Sequence, residues 1–169
     1  MHMYVETEKI GKPSRIFNIF SYWLPPVLLT AGIFFMAGDM GSFSKWSIFL
    51  QIFSYLLPSY SPQKIHTMYM GLRKAGHFVA YAALYYAYAR AWRWQAGLTC
   101  FKSISLALAI CLAVSSADEG WQFLHTSRTG SLWDVALDMS GALTAAIISF
   151  PLLRQQGREK VKTEKGLTS

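Results

Sequence analysis

The chain alternates long apolar blocks with short polar connections. Four blocks stand out, at 16–37 (IFNIFSYWLPPVLLTAGIFFMA), 71–92 (GLRKAGHFVAYAALYYAYARAW), 101–124 and 132–153. Each is about twenty residues long, enough at ~1.5 Å of rise per residue to cross a ~30 Å hydrocarbon layer. The pattern predicts an all-α, polytopic integral membrane protein with four transmembrane helices. Pro25 and Pro26 lack the amide hydrogen a helix uses, so a kink is expected in the first. Between the first two blocks, FSKWSIFLQIFSYLLP is aromatic and apolar, but Ser44, Lys45, Ser47, Gln51 and Ser54 interrupt it. It is short for a span. It predicts an interfacial or re-entrant helix in the first outer loop, ending at Pro58, with a turn from Pro58 to Gln63. The organisation is then an N-terminal segment, 1–15, a four-helix membrane domain, 16–153, and a basic tail, 154–169, whose polarity predicts disorder.

Composition agrees. The 169 residues are 53% hydrophobic and only 15% charged. The net charge of +7 could point to nucleic acid, but the basic residues flank the apolar blocks, which argues for a membrane and against a nucleic-acid partner. Lys9, Lys12 and Arg15, then Arg90, Arg93 and Lys102, then Arg154, Arg158, Lys160, Lys162 and Lys165 fall on one side of a four-span chain. That side is expected to be cytoplasmic, with both termini inside and the tail touching anionic lipid. Arg73 and Lys74 oppose this bias. The first block has no small-residue cleavage site after it and reads as a retained helix. Cys100 and Cys111 are about 16 Å apart along one helix and cannot pair with each other.

The charged residues inside the blocks carry the functional signal, because each costs about 2.5–3.5 kcal/mol at mid-helix. In the four-span topology Lys74, His77, Asp118, Glu119, Gln122, Arg128, Asp134 and Asp138 gather at one outer depth. Lys74, His77, Tyr81, Tyr85 and Tyr88 share a helical face that reads either as a cavity lining or as aromatic packing. Ser115, Asp118 and Gln122 share another, with Glu119 beside it. These carboxylates form either an ion-paired clamp between helices or a clamp that also holds a ligand. Ser131 and Asp134 have the S-x-x-D form of a helix-capping box, which explains Asp134 structurally. Asp138, one turn deeper, has no such explanation. Gly141 and Ala145 form a small-residue packing face. Arg128, in the turn HTSRTGS, could hold a carboxylate or phosphate, or pair with Asp118 or Glu119. His77, His125, Asp118 and Glu119 match no compact metal-ligand spacing, and no metal or cofactor is expected.

The segments KAGHFVAY (Lys74 to Tyr81), DEGWQF (Asp118 to Phe123) and RTGSLWDVALDMSG (Arg128 to Gly141) resemble the VanZ-like family in order, spacing and hydrophobic context. The residues carried over are Lys74, His77, Tyr81, Asp118, Glu119, Gln122, Arg128, Asp134, Asp138 and Gly141. The resemblance implies a bacterial integral membrane protein. The founding member of that family is associated with resistance to the lipid-tailed glycopeptide teicoplanin.

Three functions stay open. The favoured one is an outer-leaflet site, lined by Lys74, His77, Tyr81, Asp118, Glu119, Gln122, Arg128 and Asp138, that binds the head group of a lipid, a lipid-linked envelope precursor or a lipoglycopeptide. The second is an enzyme acting on such a head group, with Glu119 or Asp118 as base and His77 as proton shuttle. The third is a structural or assembly subunit. Proton or ion transport is disfavoured, because no polar path is visible in the cytoplasmic halves of the helices. The oligomeric state is not legible.

Overall fold

The computed structural model describes residues 15–37, 52, 54–124 and 131–166, and every regular element in them is helical. The helices are α1 (Arg15–Ala37), α2 (Pro62–Arg90), α3 (Cys100–Leu124) and α4 (Leu132–Gly166). Three stretches are long and apolar enough to cross a membrane: Ile16–Met36 in α1, Cys100–Trp121 in α3 and Leu132–Gln155 in α4. Four spans were expected, and α2 does not qualify on composition. Its block includes Arg73, Lys74, His77 and Arg90. The first-loop helix falls mostly outside the described residues. Of it only Ile52 and Ser54–Leu56 are described, as helical and exposed, and Leu57 closes a turn by accepting from Tyr60 N.

Two boundaries differ from expectation. Helix α2 begins at Pro62, not near Gly71, because Ser61 caps it: its hydroxyl accepts from Lys64 N at 3.4 Å, and Pro62 takes the first helical position, where a missing N–H costs nothing. Helix α4 runs on to Gly166, so most of the tail expected to be disordered is helical. Glu, Lys and Gln there are good helix formers, and the helix has already been nucleated by the apolar turns before it. Helix α1 is continuous through Pro25 and Pro26.

Helix α2 lies at the centre and packs on all three of its neighbours, most extensively on α4. A π-helical turn, Ala91–Gln95, ends it. Gly97 then takes φ +72°, and Leu98 N returns to the Trp92 carbonyl at 3.0 Å, closing the helix with a left-handed residue that glycine adopts without strain. Arg93 braces this corner, with Nε donating to the Leu153 carbonyl at 3.0 Å and Nη1 to the Leu98 carbonyl at 2.7 Å. Around it Trp23 meets Trp92 edge to face, and the Arg90 guanidinium lies 4.5 Å from the Tyr22 ring centre. An aromatic and basic corner of this kind is typical of a membrane–water boundary.

Polarity runs opposite to that of a water-soluble fold. Phe101, Ile147 and Ile148 are about three-quarters exposed, while Asp118, Glu119, Asp138, Ser103, Ser115 and Ser149 are buried. A surface of this kind suits hydrocarbon.

Helix α4 approaches α2 closely at Gly141. A Cβ there would overlap the carbonyl oxygen of Phe78 on α2 and lie 3.0 Å from its carbon. Gly32 on α1 has open space around it. Gly141→Ala is therefore expected to destabilise the bundle by about 1–3 kcal/mol. Gly32→Ala is expected to be neutral or stabilising by up to about 1 kcal/mol, since it only removes the glycine penalty. Denaturant unfolding in detergent checks both, and equal tolerance at the two positions would contradict this packing.

Candidate functional site

The first half of α2, the last turns of α3 and the first turns of α4 meet at one end of the bundle. Three carboxylates are buried there: Asp118 and Glu119 from α3 and Asp138 from α4. Periodicity puts them there. The buried stripe of α3 runs Ser103, Ala107, Cys111, Ser115, Asp118, at three- and four-residue steps, with Val114 beside it.

Asp138 is fully buried and held from two sides. His77 Nδ1 of α2 lies 3.3 Å from its Oδ1. The Ser115 hydroxyl of α3 donates to its Oδ2 at 2.7 Å. One carboxylate thus joins three helices. The His77 side chain is 28% exposed, so the imidazole has one edge on Asp138 and another toward the outside.

Glu119 makes the second link. The capping box predicted at the start of α4 is half realised: Ser131 Oγ accepts from Trp133 N at 3.2 Å, and Asp134 lies in the first turn. In a complete box the acidic residue would reach back to the Ser131 N–H. Glu119 Oε2 does so instead, at 2.8 Å, and so ties the end of α3 to the start of α4. A carboxylate at this helix start also suits the dipole.

The other expected residues fall as follows. Tyr81 is fully buried, one turn below His77, with Ser115, Asp118 and Asp138 as electrostatic neighbours. Lys74 is on α2 with its side chain exposed, and Arg73, half-buried, is an electrostatic neighbour of His77. Gln122 is in the last turns of α3, with its side chain outside the described positions, as is all of Arg128. Gly141 serves the close approach to α2. Ser115 emerges as a direct partner of Asp138. Its place on the Asp118 face was the only sign of this in the sequence. The carbonyl of Phe78 opposite Gly141 left none.

This is a helical bundle with spans apolar enough for a membrane, and with three buried carboxylates, Asp118, Glu119 and Asp138, gathered at one end. The VanZ/LLP1 family model matches residues 20–154, most of the chain, and the chain belongs to that family. No curated protein and no solved structure matches.

If Asp138 joins the helices as described, His77 and Asp138 must be energetically coupled. A double-mutant cycle with His77→Gln and Asp138→Asn should give a coupling of about 0.5–3 kcal/mol. Additive effects on unfolding would contradict the contact.

Proposed function

We propose that this is a multi-pass cell-membrane protein of the bacterial envelope whose junction of buried carboxylates binds the polar head group of an amphiphile. The amphiphile is a membrane lipid, a lipid-linked envelope precursor or a lipoglycopeptide. The observation that carries this reading is the burial of Asp118, Glu119 and Asp138 at one end of the bundle, next to a partly exposed His77. Helix cohesion alone needs fewer such groups, since each is costly in an apolar setting, and intramembrane ionisable residues generally mark a ligand or ion site. Tyr81 forms the buried floor below His77. Lys74 belongs to the same proposed rim.

In this reading α2 is the fourth span. It packs on the three apolar helices with Tyr81 and Tyr85 turned inward, and its charged side chains Arg73, Lys74 and Arg90 lie toward its two ends, where they reach the interfaces. Both termini are then cytoplasmic and the site faces outward, in line with the basic residues at Arg90, Arg93 and Lys102. The helical extension 154–166 carries Arg154, Arg158, Lys160, Lys162 and Lys165 to the inner surface, where anionic lipid is its partner. A place in envelope homeostasis or glycopeptide resistance fits a head-group site on this side.

A second reading, chemical turnover of the head group, is favoured by the His77–Asp138 contact. A carboxylate on Nδ1 fixes the imidazole and leaves the other nitrogen to exchange a proton with a ligand. Turnover by the purified protein against lipid substrates, abolished by His77→Gln in a folded variant, would move the assignment to enzyme.

Native mass spectrometry of the gently purified protein tests the binding reading. The wild type is expected to retain a defined lipid class that Glu119→Gln loses while staying folded. An empty wild type, with Glu119→Gln merely less stable, would reduce the junction to a clamp.

A further inference from the structure

Buried polar side chains continue below the carboxylate junction. Under Asp138 and Ser115, the interior of the bundle holds Tyr81 and Tyr85 of α2, Cys111 of α3 and Ser149 of α4. The first three are fully buried and Ser149 is 6% exposed. Ser115 donates to Asp138. Tyr85 lies one turn beyond Tyr81 on α2, Cys111 one turn from Ser115 on α3, and Ser149 three turns beyond Asp138 on α4, so each pair shares a buried helix face, with Ser115 beside Tyr81 and Ser149 beside Tyr85. One turn beyond Ser149, the Leu153 carbonyl accepts from half-buried Arg93 at 3.0 Å. From Asp138 to Leu153, α4 rises about 22 Å, most of a ~30 Å hydrocarbon layer. A polar row therefore extends the Tyr81–Tyr85 face of α2 with Cys111 and Ser149, which the sequence pattern had not marked.

Packing alone does not account for these groups. The hydroxyls of Tyr81, Tyr85 and Ser149 are buried and make no well-aligned hydrogen bond among the described residues. Each such group costs about 1–3 kcal/mol, so Phe and Ala would pack at least as well. What the hydroxyls share is the capacity to donate and accept at once. Spaced by single turns, and joined by rotation about the C–O bond or by one bridging water, they can each accept a proton on one side and release one on the other. Nothing is oxidised or reduced, and each hydroxyl ends as it began.

We propose that the row Asp138–Ser115–Tyr81–Cys111–Tyr85–Ser149 relays protons between the carboxylate junction and the Arg93 end of the bundle. This activity goes beyond head-group binding. The two ideas fail separately, since one is read as retained lipid and the other as proton flux.

The full-length protein in phosphatidylcholine–phosphatidylglycerol liposomes, loaded with a pH-sensitive dye and energised by a valinomycin potassium potential, provides the test. The wild type is expected to raise the rate of internal pH change by an order of magnitude over protein-free liposomes. Tyr85→Phe keeps the ring and removes only the hydroxyl. It is expected to return the rate to the protein-free value while unfolding no more easily than wild type. Ser149→Ala should behave in the same way, and Thr144→Ala, on the exposed side of α4, should leave the rate unchanged. A wild-type rate equal to that of empty liposomes would overturn the proposal. So would full flux in Tyr85→Phe and Ser149→Ala, or loss of flux only in step with loss of stability in both.

Discussion

A carboxylate removed from water must be met by donors or by a cation, and Asp138 imposes that demand on the whole bundle. It is fully buried; Oδ2 accepts a hydrogen bond from Ser115 of α3, and Oδ1 has a 3.3 Å contact with His77 Nδ1 of α2 that is not an aligned hydrogen bond. Leaving either oxygen unanswered would expose the full desolvation cost of a buried charge. The contact thus does what apolar packing cannot do in a membrane, where lipid tails compete equally well for Leu and Ile. It selects one register of α2 against α3 and α4. Gly141, one turn below Asp138 on α4, lets the two backbones come close enough for that register. Glu119 then sets the entry of α4 by holding the Ser131 N–H.

The central place of α2 follows from the same demand. It is the long helix without a stretch apolar enough to span, and it packs on all the others. On a lipid-facing helix, His77, Tyr81 and Tyr85 would be a liability. Enclosed, they supply the polar interior. The outer surfaces of all four helices carry apolar side chains, with Phe17, Val79, Phe101, Ile147 and Ile148 facing outward.

Much of this was legible in the sequence, where apolar content or capping chemistry marked it. The block boundaries at Ile16, Phe101 and Leu132 lie within a residue of the helices observed. Asp118, Glu119, Asp138 and His77 gathering at one end followed from topology and placement in the blocks. The start of α2 was missed because its first turns, PQKIHTMYM, are polar, and only the Ser61–Pro62 pair marks the cap. The helical tail was missed because high charge reads as disorder when the helix feeding it is ignored. The pairing of His77 with Asp138 joins residues far apart in sequence, and periodicity gives faces, not partners. The inner polar row was missed for a related reason. Tyr85 was marked only as part of one helix face, and Cys111 and Ser149 look unremarkable singly; the row forms only when three helices bring them together.

The central claim is that Asp138 is the shared ligand of three helices in the membrane. Solid-state NMR in bilayers can test it directly by measuring dipolar coupling between the ¹⁵N-labelled Nδ1 of His77 and the ¹³C-labelled carboxyl of Asp138. Strong coupling, consistent with an Nδ1–Oδ1 separation near 3.3 Å, is the predicted result. No measurable coupling in a folded, bilayer-embedded protein would contradict the contact, and with it the arrangement of α2 against α4.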